Sequence, residues 1–272
     1  MPELPEVETV RRDLEELRGE RVEKCSVTLP RIITTPHAGD FCRLLLGRTI
    51  QEVRRRGKYL LLELDGGLEM VAHLGMTGAL LFCSPAQPLA KHTHMLLEFA
   101  SGRQLRYVDP RQFGELAVVP QGDHQAMRTL DHMGPEPLER GFTARALGER
   151  LASSARVKSA LMNQERIAGI GNIYSDEILF LARIEPSRRA DSLEPDEIKT
   201  LHRAIRQVLE RAIDERGTSV ENFVDARGRP GRYQQFHRVY GREGETCYRC
   251  GATIRRSKIG GRSAHYCPGC QR

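Results

Sequence analysis

The sequence predicts an α+β protein of several domains, and three observations carry that prediction. Short apolar segments of strand character crowd the first half, segments of helical spacing follow a Gly-Pro-rich stretch at 134–137, and four cysteines in two C-x2-C pairs close the chain. At 272 residues the chain exceeds one typical compact domain, so length suggests about two, each able to bury a core.

In MPELPEVETV and the residues after it, Val7, Val10, Leu14 and Leu17 fall at helical spacing. Pro5 and Glu6 suit a first turn and Gly19 the stop, so one amphipathic helix leads the protein. Next come VEKCSVTL, RTIQEVRRR, KYLLLEL, LEMVAHL, HMLLEF, QLRYV and ELAVV, several joined by Asp-Gly-Gly or Ser-Gly turns. Short strands with tight turns predict an antiparallel sandwich or barrel of about 120 residues. Gly134-Pro135-Glu136-Pro137 is the best domain boundary. Helices are predicted beyond it over 142–151, 157–164, 173–182 and 195–216. In the last, Ile198, Leu201, Ile205, Val208 and Ala212 mark one face, Pro195 suits N1 and Gly217 the stop. Residues 218–238 sustain neither period, and a loop that long is usually functional or disordered.

No apolar run approaches the roughly 18 residues of a membrane span, and the acidic start lacks the layout of a signal peptide, so a cytoplasmic protein without membrane contact is expected. The formal charge is +6, unevenly placed: residues 241–272 hold seven Lys/Arg against two Glu, a surface suited to polyanions. Cys247, Cys250, Cys267 and Cys270 form C-x2-C-x16-C-x2-C, which can set four thiolates tetrahedrally around Zn2+. The intervening TIRRSKIGGRSAHY reads as two strands around a Gly-Gly turn, hence a zinc ribbon with Arg262 offered outward. With all four positions taken by Cys the metal has no open coordination site and is structural. Cys25, Cys42 and Cys83 read as ordinary buried or half-buried thiols. Gly169, Gly171 and Asn172 lie between two helical stretches, where backbone N–H groups could take a phosphate; by itself that spacing fits an ordinary helix-helix turn equally well.

MPELPEVET, RRGKYLLLEL, HLGMTG, DPRQFGEL, GPEPL, IAGIGNIYSDE, VYGREGETCYRC and HYCPGCQR, in this order along the whole chain, resemble the formamidopyrimidine-DNA glycosylase family. The resemblance implies a β-sandwich domain at 1–133, a helix-two-turn-helix domain at 134–238 with a base-facing loop near 218–238, and a zinc finger at 239–272, with DNA in the cleft between them. It implies a bifunctional glycosylase and AP lyase of base excision repair, acting as a monomer on double-stranded DNA with oxidised bases or abasic sites. Pro2 would be the nucleophile once Met1 is removed, Glu3 the general acid/base, and Lys58 and Arg262 phosphate contacts supporting the chemistry. His73, His92, Arg111, Lys158, Asn172 and Tyr240 would contact DNA. Met76, Arg111 and Phe113 would fill the gap left by the extruded nucleotide, as an apolar wedge and a cation can; apart from the resemblance, Met76 and Phe113 read as core residues. Gln112 stands where a second basic residue is frequent and Asn163 where Asp is usual, and Glu221 puts a carboxylate in the base-facing loop, which leaves lesion preference open.

The chemistry explains the leading proline. A free α-amine has a pKa of about 7.7–8.0 against about 10.4 for lysine, so near neutrality far more of it is unprotonated. A secondary amine attacking sugar C1′ leaves an iminium that stays cationic and acidifies the C2′ hydrogen, permitting β- and then δ-elimination. Two other functions remain: an endonuclease VIII-like glycosylase for oxidised pyrimidines, and a zinc-ribbon DNA-binding protein without catalysis, which would need neither Pro2 nor Glu3.

Overall fold

The computed structural model describes residues 1–220 and 222–272. The chain divides into two compact units, the first formed by 1–132 with 215–232 and the second by 133–214 with 233–272. Both differ in outline from the three-part division read from sequence: the segment after the longest helix returns to the first unit, and the ribbon packs with the helices.

The first unit opens with α1 (Leu4–Asp13), which begins on an extended Glu3 and buries Leu4, Val7 and Val10. Nine strands follow: β1 (Val22–Val27), β2 (Ile33–Thr35), β3 (Ile50–Arg56), β4 (Tyr59–Leu64), β5 (Leu68–His73), β6 (Ala79–Cys83), β7 (Thr93–Phe99), β8 (Gln104–Val108) and β9 (Glu115–Pro120), with α2 (Ala38–Leu45) between β2 and β3 and a short α3 (Arg128–Asp131) after β9. They make a four-stranded sheet ordered β1-β7-β8-β6 and a five-stranded sheet ordered β2-β9-β5-β4-β3. Pairing is antiparallel as expected, except that the three-residue β2 runs parallel to β9. Val7 and Val10 of α1, Phe41 of α2, Leu60 and Leu62 of β4 and Leu105 and Tyr107 of β8 share one buried core. Apolar burial at about 25 cal/mol per Å2 is what joins the layers.

Cys25 and Cys42 are not the ordinary thiols that their scattered places in the sequence predict. Helix α2 packs on β1 and brings their Cα atoms to 5.2 Å, within bridging reach, and they form a disulfide. Cys83 remains a free, half-buried thiol.

The second unit holds α4 (Ala144–Leu151), α5 (Val157–Met162), α6 (Asn172–Ala182) and α7 (Pro195–Asp214), then a 3-10 turn at Tyr233–Phe236 and the hairpin β10 (Arg255–Ile259) and β11 (Arg262–Tyr266). Helix α7 is amphipathic as its spacing predicts, burying Leu201, Ile205, Val208 and Ala212. The ribbon's small core is Val239, Cys247, Ile254 and Cys267 against Phe180 of α6. No helix among the described residues is long and apolar enough to cross a membrane.

Candidate active site

In the first unit, Pro2 is buried beneath an exposed Met1. With Met1 in place the Pro2 nitrogen is an amide; removing one residue would turn it into a secondary amine at the start of α1. Glu3, only 2% exposed, is the N-cap, and its N–H donates to Glu6 Oε2 at 2.8 Å in a capping box. The other oxygen of Glu6 accepts from Thr218 N at 2.6 Å. One carboxylate therefore spans the chain start and the loop that follows α7. Gly217 permits the approach: its φ is +78°, and a Cβ there would lie 2.7 Å from Glu6 Oε1. Arg216 holds the same loop, with Nη2 at 2.5 Å from both Asp13 and Asp225. Glu221 lies outside the described residues.

Glu8 of α1 ties that helix to β3 through Arg55, at 3.1 Å. Burial opposes its charge, but Arg11, Arg55 and Arg12 outweigh that and lower its pKa. Lys58 is buried in the turn between β3 and β4. His73, at the end of β5, sits opposite Tyr59, with ring centroids 4.7 Å apart. Burial pushes its pKa down to about 4, and the Lys58 ammonium acts in the same direction, so the imidazole is neutral near pH 7.

Two loops carry the expected void-filling residues. Asp109, fully buried, organises them: Oδ1 accepts from Thr77 Oγ1 at 2.5 Å and Arg111 N at 3.2 Å, and Oδ2 from Gly114 N at 2.9 Å and Tyr107 OH at 3.2 Å. Burial would raise its pKa, but these donors prevail and lower it. Glycines allow the loops to touch, since a Cβ on Gly75 would meet Phe113 C at 2.5 Å and one on Gly114 would meet His73 O at 2.8 Å. The result is an exposed Arg111 with its guanidinium carbon 5.1 Å from the ring centre of Phe113, itself 56% exposed. Phe113 is thus no core residue, whereas Met76 is half-buried. Gln112 takes a left-handed φ of +58° and accepts a hydrogen bond from Arg31. His92, also left-handed at +67°, accepts from Asp109 N at 3.0 Å through its carbonyl.

In the second unit, α6 starts at Asn172 behind an extended Gly171. Gln164 shapes the preceding turn, accepting from Gly169 N at 2.9 Å and donating to Ile170 O at 2.8 Å. Asn172 Nδ2 reaches Ser263 Oγ at 3.4 Å, which brings the helix start beside Arg262, an exposed residue at the first position of β11. Asn172 Oδ1 is a buried acceptor without a hydrogen-bond partner among the described residues. Asn163 accepts from Glu165 N at 2.9 Å, a turn contact that an Asp would also make.

Lys158 departs from its expected place at the DNA surface. It is fully buried, with Nζ at 2.5 Å from Asp176 Oδ1 and 2.6 Å from Ser263 O, so in this conformation it braces α5, α6 and β11. Sequence reasoning also missed Asp176 and Glu177. Asp176 Oδ2 accepts from His265 N at 2.9 Å, and Glu177 accepts from the backbone N–H groups of Arg238, Val239 and Tyr240 at 2.8–3.0 Å. Burial raises the Glu177 pKa despite these donors. Tyr240 then stands edge-on to His237 and His265, with centroids 5.6 and 5.1 Å away. The visible signal was an adjacent acidic pair in an otherwise apolar helix, NIYSDEILFLA.

The four cysteine sulfurs lie within 4.8 Å of one another, with Cys247–Cys270 at 3.9 Å and Cys250–Cys267 at 3.4 Å. A tetrahedron with Zn–S arms of about 2.3 Å has edges of about 3.8 Å, so the donors fit one structural Zn2+.

A β-domain with a proline ahead of a capped helix, joined in one chain to a helical unit ending in a four-cysteine finger, defines a DNA glycosylase of base excision repair. Three family models match in order: the formamidopyrimidine-DNA glycosylase N-terminal domain at residues 1–116, the H2TH domain of the same enzymes at 133–224, and the zinc finger found in FPG and IleRS at 244–272. The chain belongs to the formamidopyrimidine-DNA glycosylase family, enzymes that combine glycosylase and AP lyase activities. It is 46% identical to the formamidopyrimidine-DNA glycosylase of Pelotomaculum thermopropionicum, covering 100% of this chain and 99% of that one. It is similar in structure to the Thermus thermophilus protein, with 41% identity, a TM-score of 0.90 and coverage of 99% and 98%. A Lactococcus lactis mutant solved with Fapy-dG-containing DNA gives 38% identity, a TM-score of 0.92 and full coverage of both chains.

Proposed function

We propose that this chain excises oxidised purines from duplex DNA through a Schiff base on Pro2 and then cleaves the strand by β,δ-elimination. The observation that carries this reading is the placing of Pro2 and Glu3 together, buried at the start of α1, with Glu6 bonded both to Glu3 N and to Thr218 N. Freed of Met1, the Pro2 nitrogen attacks C1′ as the C1′–N bond breaks, and the departing base takes a proton. Glu3 protonates the opening sugar oxygen. The iminium then draws electrons from C2′, and loss of the C2′ proton expels the 3′ phosphate, followed by the 5′ phosphate. Lys58, Asn172 and Arg262 offer donors to phosphates, and Met76, Arg111 and Phe113 support the opened duplex. His73, His92 and Tyr240 stand as further DNA contacts; Lys158 would act at one remove, by holding Asp176 and the Ser263 carbonyl. Cytoplasmic action as a monomer belongs to the same reading.

A second reading, excision of oxidised pyrimidines, is favoured by one observation: the L. lactis enzyme, 38% identical, has been solved with DNA containing an oxidised pyrimidine. Parallel single-turnover assays on the two lesion classes decide between them. The covalent mechanism is tested by borohydride trapping on an 8-oxoguanine duplex, with sequencing of the trapped adduct. Trapping on the terminal proline is expected, while an adduct on any lysine, or full activity from protein that retains Met1, would overturn the assignment.

A further inference from the structure

The second unit contains a cavity of about 370 Å3 that the excision chemistry leaves unused. Phe180 of α6, Arg211 of α7, Phe236 at the end of the 3-10 turn and Arg238 just after it, and Tyr248 and Arg249 of the first cysteine pair line it. Asn172 is at the other end of α6, and eight residues of helix rise about 12 Å, so the cavity is separate from the proposed phosphate contacts at the helix start.

Its chemistry is that of cations placed over rings. The Arg211 guanidinium carbon is 4.1 Å from the Phe236 centroid, that of Arg249 is 4.3 Å from Phe180, and that of Arg238 is 5.8 Å from Tyr248. Arg249 is further fixed by a 3.2 Å bond to Phe180 O. None of the three guanidiniums is paired with a carboxylate among the described residues, and the one carboxylate at the wall, Glu177, accepts from three backbone N–H groups. All three arginines and Tyr248 are exposed. The cavity falls within the roughly 300–1,000 Å3 of small-molecule sites.

The geometry points to a nucleotide-binding site here, with the base stacked on the Arg211–Phe236 face, since Arg242 already lies 3.6 Å over the Tyr248 ring, and the phosphate held by the guanidiniums. Planar cations on rings suit a base, and forked N–H donors suit a phosphate. The nucleotide is either free or part of a single-stranded DNA end.

The test uses the full zinc-loaded chain saturated with an uncleavable abasic-analogue duplex, which occupies the excision site. A ribose-labelled fluorescent adenosine diphosphate is titrated by anisotropy. Saturable binding is expected, weakened about tenfold by Arg211→Ala and by Arg238→Ala, with excision rates unchanged. In a second arm, adding a single-stranded tail to the duplex raises its affinity if a strand end is the source, and Arg211→Ala removes that gain. Urea midpoints confirm that the variants fold. Absence of saturable binding in both arms, binding that survives both substitutions, or tighter binding of an acidic aromatic peptide than of the nucleotide would overturn the assignment.

Discussion

Replacing Asp109 by Asn tests whether one buried carboxylate sets the loops that carry Met76, Arg111 and Phe113. Its two oxygens accept from two hydroxyls and two backbone N–H groups, one of each per oxygen. In the amide, one position becomes an NH2. The hydroxyl facing it, on Thr77 or Tyr107, can turn to accept, but the backbone N–H facing it cannot: Gly114 N loses its acceptor if the NH2 replaces Oδ2, and Arg111 N keeps only Thr77 Oγ1, at 3.1 Å, if it replaces Oδ1. The loss of a backbone N–H bond to the carboxylate, together with the lost charge, costs about 2–3 kcal/mol. If the loops give up half of that in their ordered population, excision from duplex falls about tenfold. Lyase action on a ready-made abasic site, which needs no base extruded, should fall less. Urea unfolding and single-turnover kinetics on both substrates measure the effects. A pH series adds a sign: Asp109 is more acidic folded than unfolded, so its contribution is complete above the usual aspartate value of about 3.9 and lost as pH falls through its lower folded value. The gap between wild type and variant should therefore close only in acid. A wild-type midpoint with wild-type excision, or a gap unchanged below about pH 3, would refute the reasoning.

Substituting Cys267 by Ser should release Zn2+ and the ribbon with it, abolishing DNA affinity while circular dichroism still reports the first unit folded; elemental analysis verifies the metal loss. Arg111→Ala with Phe113→Ala should reduce excision from duplex far more than lyase action on an abasic site, and equal losses would indicate a folding defect. Lys158→Met should cost about 3–5 kcal/mol in urea unfolding, because it strands the buried Asp176 carboxylate without its cation. His73→Gln should leave the shape of the pH profile of activity between pH 6 and 8 unchanged, because a histidine held at a pKa of about 4 is already neutral there, and a wild-type inflection near 6.5 that vanishes in the variant would contradict this.

The sequence was informative where local pattern and burial agree. The 195–216 helix differs from α7 only at its C-terminal end, because one apolar stripe and two end signals point the same way. ALLFC, which became β6, was missed because its apolar run shows no alternation, and α2 because eight residues give the helical period little room. The cysteine pattern marked the metal site through spacing alone. No spacing could pair Cys25 with Cys42, which meet only because α2 folds onto β1. Lys158 shows the converse limit, since whether a lysine faces a phosphate or a buried aspartate depends on a hairpin more than 100 residues later.

The bond from Thr218 N to Glu6 joins positions 212 residues apart, and Ala226 O accepts from Phe82 N at 2.9 Å within the same unit. During synthesis, then, the amino-terminal unit cannot close when its own nine strands have emerged; it waits for the entire helical segment and the return of residues 215–232. Until that moment the prospective nucleophile has its helix but lacks the clasp at Thr218. Contacts of such long range carry a closure cost and slow folding. A fragment ending at residue 132 would therefore be an unfinished fold as well as a catalyst without its loop.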